Sequence, residues 1–204
     1  ANGATFAANV GNTQNLNTVK IGAATTTSAT FDAVLKTQTL NVGVTGSNGV
    51  SSGTFTGAVT ATNIAVDAVT GSTTASTADF NNTVAVATAL NIIAGANGAE
   101  DATANFAGAV SGAGAITLTE AGAGTATMII DGVNVNVANT IDGNAANKGT
   151  LSVTANGATF AANVGNTQNL NTVQIGAVGT TSASFVNVLK TQTLNVGVTG
   201  SNGV

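Results

Sequence analysis

The side chains able to do chemistry in this chain are few and widely spaced. Its 204 residues carry the carboxylates Asp32, Asp67, Asp79, Glu100, Asp101, Glu120, Asp131 and Asp142 and the amines Lys20, Lys36, Lys148 and Lys190. Arginine, histidine, cysteine, tryptophan, tyrosine and proline are absent. Imidazole and thiolate catalysis, and the metal sites built on those ligands, are therefore excluded. A net charge of −4 without arginine argues against nucleic acid as a partner, since its phosphates must be neutralised by basic groups.

Each remaining candidate fails on spacing. Glu100-Asp101 is the only adjacent acidic pair. Calcium wants about six to eight oxygens, and no spaced aspartate run supplies them, so the pair reads as a solvated loop between Phe80 and Phe106. Gly112-Ala-Gly114 and Gly122-Ala-Gly124 resemble phosphate loops, but neither continues to GxGxxG or to Gly-Lys-Ser/Thr. Lys148-Gly149-Thr150 has the wrong order. These glycines read as tight turns or small-residue stacking positions. Asp32, Asp131 and Asp142 form no carboxylate pair at any local spacing. The reading is of no catalytic residue, no cofactor and no metal: not an enzyme.

Composition excludes two further classes. Hydrophobic residues reach 43% and charged residues only 6%, the reverse of the disordered signature. Polar residues interrupt every apolar stretch before the roughly 18–20 residues of a spanning helix. No basic-then-apolar signal segment opens the chain, and Ala1-Asn2-Gly3 reads as the middle of something.

The elements announce themselves through repetition. Residues 1–50 return at 155–204, an offset of 154, with six differences: Lys20 becomes Gln174, Ala24 Val178, Thr25 Gly179, Thr30 Ser184, Asp32 Val186 and Ala33 Asn187. Losing Asp32 suits an exposed structural position better than a catalyst. Residues 1–154 are thus read as one complete unit and 155–204 as the start of the next, a window on a longer array. Inside the unit, phenylalanine recurs at 6, 31, 55, 80, 106, 160 and 185, in steps of 25, 24, 25, 26, 54 and 25. Four residues after each stands Val10, Leu35, Val59, Val84, Val110, Val164 or Leu189. Nine or ten after stands Leu16, Leu40, Ile64, Leu90, Ile116, Leu170 or Leu194. Turn residues follow in the first four of these repeats: Gly22, Gly46 with Asn48-Gly49, Gly71, and Gly95 with Asn97-Gly98.

The alternation in 40–44 (LNVGV), 116–119 (ITLT) and 133–137 (VNVNV) reads as strand. A helix over Thr83–Ile93 is allowed by length, but its β-branched content favours strand. The expected fold is all-β: a right-handed parallel β-solenoid, three-sided, with coils of about 25 residues. Phe6, Phe31, Phe55, Phe80, Phe106, Phe160 and Phe185 would form one internal core column. One unit would advance about six coils, roughly 29 Å. The alternative is tandem β-sandwich domains. The segment 120–157 breaks the period, and would hold two longer coils or three shorter ones with a protrusion.

Phe106-Ala-Gly-Ala-Val-Ser-Gly-Ala-Gly-Ala-Ile-Thr-Leu-Thr119, then Ala121-Gly-Ala-Gly-Thr125, resembles the coil pattern of autotransporter passenger domains. Residues 150–153 (TLSV) and 80–84 (FNNTV) share the style. Rickettsial-type repeat-containing surface antigens are the nearest such family, and S-layer and surface-filament proteins share the composition. The resemblance implies a β-helical stalk exported and displayed on the bacterial cell surface.

Two further readings concern the surface. Regular Thr-x-Thr ladders on a solenoid can order water and bind ice, but only Thr37-Gln-Thr39 and Thr60-Ala-Thr62 fall at comparable positions, and 12–13 and 86–88 do not continue them. So few charges, with neither Ala1 nor Val204 in a recognisable cap, suit association with identical chains. The expected function is a self-associating surface layer, sheath or filament. The alternative is an adhesin stalk whose distal tip meets a host or neighbouring-cell surface.

Overall fold

A computed structural model describes residues 2–22, 25–43, 49–68, 74–176 and 181–197. The expected turn residues Gly46, Asn48 and Gly71, the alternating Val44, and the chain ends Ala1 and Val204 lie outside the described residues. Successive coils run β1 (Ala4–Phe6) and β2 (Leu16–Ile21); β3 (Thr27–Phe31) and β4 (Leu35–Val42); β5 (Ser51–Phe55) and β6 (Val59–Asp67); β7 (Ser76–Phe80) and β8 (Val84–Ala94). They continue with β9 (Ala102–Phe106), β10 (Val110–Ser111) and β11 (Ala115–Glu120); β12 (Ala126–Ile130), β13 (Asn136–Val137) and β14 (Ile141–Gly143). The last described are β15 (Thr150–Val153) and β16 (Ala158–Phe160), then β17 (Leu170–Ile175), β18 (Ala183–Phe185) and β19 (Thr191–Val196).

Every strand pairs in parallel with its counterpart one coil away. The first sheet has nine strands in the order β1-β3-β5-β7-β9-β12-β15-β17-β19. The second runs β18-β16-β13-β10-β8-β6-β4-β2, with β11 and β14 attached beside β8. This is a parallel β-solenoid, and the sandwich alternative, which needs antiparallel neighbours, is set aside. Residues 84–94 are strand β8, not helix. Strict alternation makes these strands: β3, β5, β7, β9 and β12 each bury their first, third and fifth residues.

The second sheet is bent. In β4 the buried set is Leu35 and Thr37, then Leu40 and Val42, a slip of one residue at exposed Gln38. In β6 and β8 the register shifts between Ala61 and Asn63, and in the next coil Gly112, at φ 102°, separates β10 from β11. Each coil turns several files of side chains inward, and three of them carry the anchors that the sequence spacing marks. One starts from Phe6 and Phe31; one from Val10, Leu35 and Val59; one from Val19, Leu40 and Ile64. Val19, not Leu16, pairs with Leu40; Leu16 pairs with Thr37 and is 40% exposed, because the first coil spends extra residues on the turn after Gly11.

The first file stacks its rings. Phe6, Phe31, Phe55, Phe80 and Phe106 lie face to face, with successive centroids 4.6, 5.4, 4.9 and 5.1 Å apart. Beyond Phe106 the file continues as Ile130, Val153, Ile175 and Val196. Phe160 and Phe185 stack on each other at 4.8 Å, but in the second file, where Phe160 pairs with Val137. The single column expected of all seven phenylalanines is thus two columns on different faces.

The reason is arithmetic on the 54-residue gap. Phe106 to Ile130 and Ile130 to Val153 are two ordinary coils of 24 and 23 residues, and the seven residues left carry the chain onto the next face. The irregular segment holds no protrusion; Met128, Ile130, Val137 and Ile141 fill its core in place of a ring. Its alternating Val133–Val137 run is strand only at Asn136–Val137, since Asn134 adopts φ 57° and Val133 is 68% exposed. One 154-residue unit therefore advances six coils and one face, roughly 30 Å along the axis.

The second copy keeps its local structure while changing sheets. Ser28 donates to Asn2 Oδ1 at 2.7 Å, and Ser182 to Asn156 Oδ1 at 2.6 Å. Thr37 Oγ1 donates to the Thr39 carbonyl at 2.9 Å in β4, and Thr191 Oγ1 to that of Thr193 at 2.9 Å in β19. Gly11 and Gly165, at φ 73° and 70°, let the chain pass so close to the Lys36 and Lys190 carbonyls that a Cβ would collide with them.

Phe55 is fully buried between two rings, whereas Phe6 has a ring on one side only and is 42% exposed. Phe55→Ala should cost about 3–5 kcal/mol, and Phe6→Ala markedly less. Calorimetric unfolding of both variants checks this; equal losses would place the two rings in equivalent environments.

Candidate functional site

The carboxylates are occupied in holding turns. Glu100, expected in a solvated loop, is fully buried. Its Oε2 accepts the Asn97 backbone N–H at 2.9 Å and its Oε1 the Asn97 side-chain amide at 2.8 Å. Gly95 makes room for it, since a Cβ there would strike Glu100 Oε2. Asp101 Oδ1 accepts the N–H and hydroxyl of Thr125, one coil on, at 2.7 and 2.8 Å. Asp142 Oδ1 accepts the backbone N–H groups of Thr167 and Gln168 at 3.0 and 3.3 Å. Glu120 accepts the Ala126 N–H at 3.2 Å and pairs with Lys148 Nζ at 3.9 Å. Asp79 accepts from Asn105 Nδ2.

These contacts do not bring the acidic groups together. Among the described residues no three of His, Cys, Asp and Glu lie close enough to hold a metal ion. Asp32 and Asp131 follow β3 and β12, four coils apart, and Asp142 lies within β14. The glycine pairs are places where coils touch: a Cβ at Gly112 would meet the Val86 carbonyl, at Gly122 that of Ala96 and at Gly124 that of Glu100. Gly149, at φ 83°, is packed against Leu118. Hollows line up at the two ends of the described stack, beside Phe6 and Phe31 and beside Leu189 and Leu194.

The feature with a regular chemistry is the outward surface of the nine-stranded sheet. Ser28, Ser52, Thr77, Thr103, Thr127, Thr150, Thr172 and Thr193 pair in that order, one per coil. This is an eight-rung hydroxyl file. Among the described residues, the hydroxyls of Thr77, Thr103, Thr127, Thr150 and Thr172 have no hydrogen-bond partner. The neighbouring file on the same surface runs Thr5, Thr30, Thr54, Asp79, Asn105, Ile129, Ser152, Gln174 and Asn195. Asp79 is the one charge in the two files.

The threonine pairs singled out in the sequence are not part of it. Thr37 pairs with Ala61 and is buried, and Thr60 pairs with Lys36 and points outward. They differ by one residue in register, which in a strand means opposite faces. The true file was hidden because its members stand beside other serines and threonines in 27–31, 51–55 and 76–80, and it becomes visible only once the phenylalanines are used to align them.

Two aspartates are held away from their ordinary behaviour. Burial raises the Asp67 carboxyl at the end of β6 above its usual value of 3.8. Partial burial and the neighbouring Asp79 carboxylate raise Asp131 against a backbone hydrogen bond that lowers it.

Comparison with protein-family models, curated proteins and solved structures returns no match.

A raised carboxyl binds its proton more tightly in the folded chain than in the unfolded one, so its contribution to stability falls as pH rises through that window. At neutral pH the ionised Asp67 opposes folding. Asp67→Asn should raise the melting temperature at pH 7, with the gain shrinking as pH falls through the raised native value toward 3.8 and absent below it. A gain that persists unchanged at acid pH would show that the charge is not its cause.

Proposed function

We propose that this chain is a structural repeat protein of the bacterial cell surface, which associates with identical chains into a layer, sheath or extracellular filament. The observation that carries this reading is the charge-poor outer surface of the nine-stranded sheet, where Asp79 is the one acidic residue in two files. A solenoid that stays apart from its copies in water is expected to carry dispersed charge over roughly a quarter to a third of its surface. This one has 6% charged residues in all, and four of its eight carboxylates are engaged in turns.

The resemblance to autotransporter passenger domains supports a position outside the cell. Near-identical units that stack with no composition break between them support an extended object built for length. The same length would serve the second reading, an adhesin stalk, in which the shaft is inert and binding belongs to a tip.

Sedimentation separates the two. The chain should show concentration-dependent assembly near neutral pH, with polymers or sheets visible by electron microscopy. Raising salt should change the assembly only modestly, because few ion pairs are available to screen. A species that remains monomeric at high concentration contradicts self-association and favours the stalk.

A further inference from the structure

We propose that the lateral contact between copies is made by the outer surface of the nine-stranded sheet, with the hydroxyl file Ser28–Thr193 of one chain packed against that of another. This rests on the self-association reading and names the surface that serves it.

Three observations select this face. The first is charge. The outward rows of the bent sheet carry Lys20, Lys36, Asp67, Asp142 and, at the end of β11, Glu120. The hydroxyl face carries Asp79 alone, and that carboxylate brings its own donor, Asn105, into any contact. Interface centres are depleted of charge because an unpaired ion is costly to bury.

The second is the chemistry of the file. A threonine hydroxyl both donates and accepts, so a file of them can pair with an identical file without a designed complement. Their methyl groups, with half-buried Ile129 in the adjacent file, supply apolar area. Side chains repeated at each rung of a parallel sheet can interdigitate with those of a facing sheet at about 10 Å separation.

The third is size. Nine strands at about 4.8 Å spacing, each about 17 Å long, offer roughly 700 Å² per copy. The two copies together would bury about 1,400 Å², within the range of stable specific interfaces. The bent sheet offers no equal flat: β10 and β11 are separated at Gly112 and the register slips at Ala61.

The test places like charges on one face at a time. Thr77→Lys/Thr127→Lys puts two amines two rungs apart on the hydroxyl face; Asn41→Lys/Asn91→Lys does the same on the bent sheet. Analytical ultracentrifugation of the full chain should show the first pair weakening association at least tenfold and the second leaving it near wild type. Equal weakening by both pairs, or wild-type assembly of the first, overturns the proposal.

A second readout covers a variant that does not fold. The chain has no cysteine, so Thr103→Cys and Asn91→Cys each give one thiol for a bismaleimide of about 10 Å reach. Cross-linked dimer from Thr103→Cys and not from Asn91→Cys supports this face; the reverse overturns it. A wild-type chain that stays monomeric yet slows ice recrystallisation, with that activity lost in Thr77→Lys/Thr127→Lys, also overturns it, since the file would then face a water lattice. If wild type associates but cross-links through neither thiol, self-association stands and this face falls.

Discussion

Each backbone N–H and C=O in a parallel solenoid must find its partner one coil above or below, and this requirement governs the rest of the molecule. An unpaired buried peptide group costs as much as a lost hydrogen bond, so coil length cannot drift without breaking a ladder. Along the first sheet the steps are 25, 24, 25, 26, 24, 23, 22 and 21 residues. Turns absorb these differences, which is why glycine stands where one coil's turn presses on the next coil's backbone, as at Gly112 and Gly165. The carboxylates belong to the same economy: Asp101 and Asp142 accept N–H groups that the ladder leaves over.

Because the ladder fixes coil length but not which face a given segment occupies, nearly identical sequences settle on different faces. Residues 4–6 lie in the first sheet and residues 158–160, the same Ala-Thr-Phe, in the second. The core tolerates the move by volume exchange: where Phe160 enters the second file, Val153 stands in the first in place of a ring and Leu151 fills the inward file beside it. Substitutions that conserve total volume are the kind a packed interior accepts. In an array of such units the ring column would step round the axis, returning to its first face after three units.

Much of this was legible in the chain. The phenylalanine spacing and the companion Val/Leu positions give the coil, its parallel pairing and two of its inward files. The misreadings share one physical origin, which is that strand register has a period of two and faces change at turns whose length is not written in composition. Leu16 stands at the expected distance from Phe6, yet the longer turn after Gly11 puts Val19 in its place. Phe160 keeps the spacing of its own copy, and only the seven residues beyond two full coils betray the change of face. Glu100 reads as solvated because nothing in 95–101 announces that Gly95 leaves a pocket for its carboxylate.

The face change at the copy boundary divides the phenylalanines into two columns, and the rest of the core is arranged around it. Nuclear Overhauser contacts in an isotopically labelled sample read it directly. The account predicts backbone contacts between Val137 and Phe160 and between Ile130 and Val153, with the Ala161 N–H hydrogen-bonded to the Val137 carbonyl. Phe160 found instead on the sheet of Phe106, paired with the strand that carries Ile130, would contradict it.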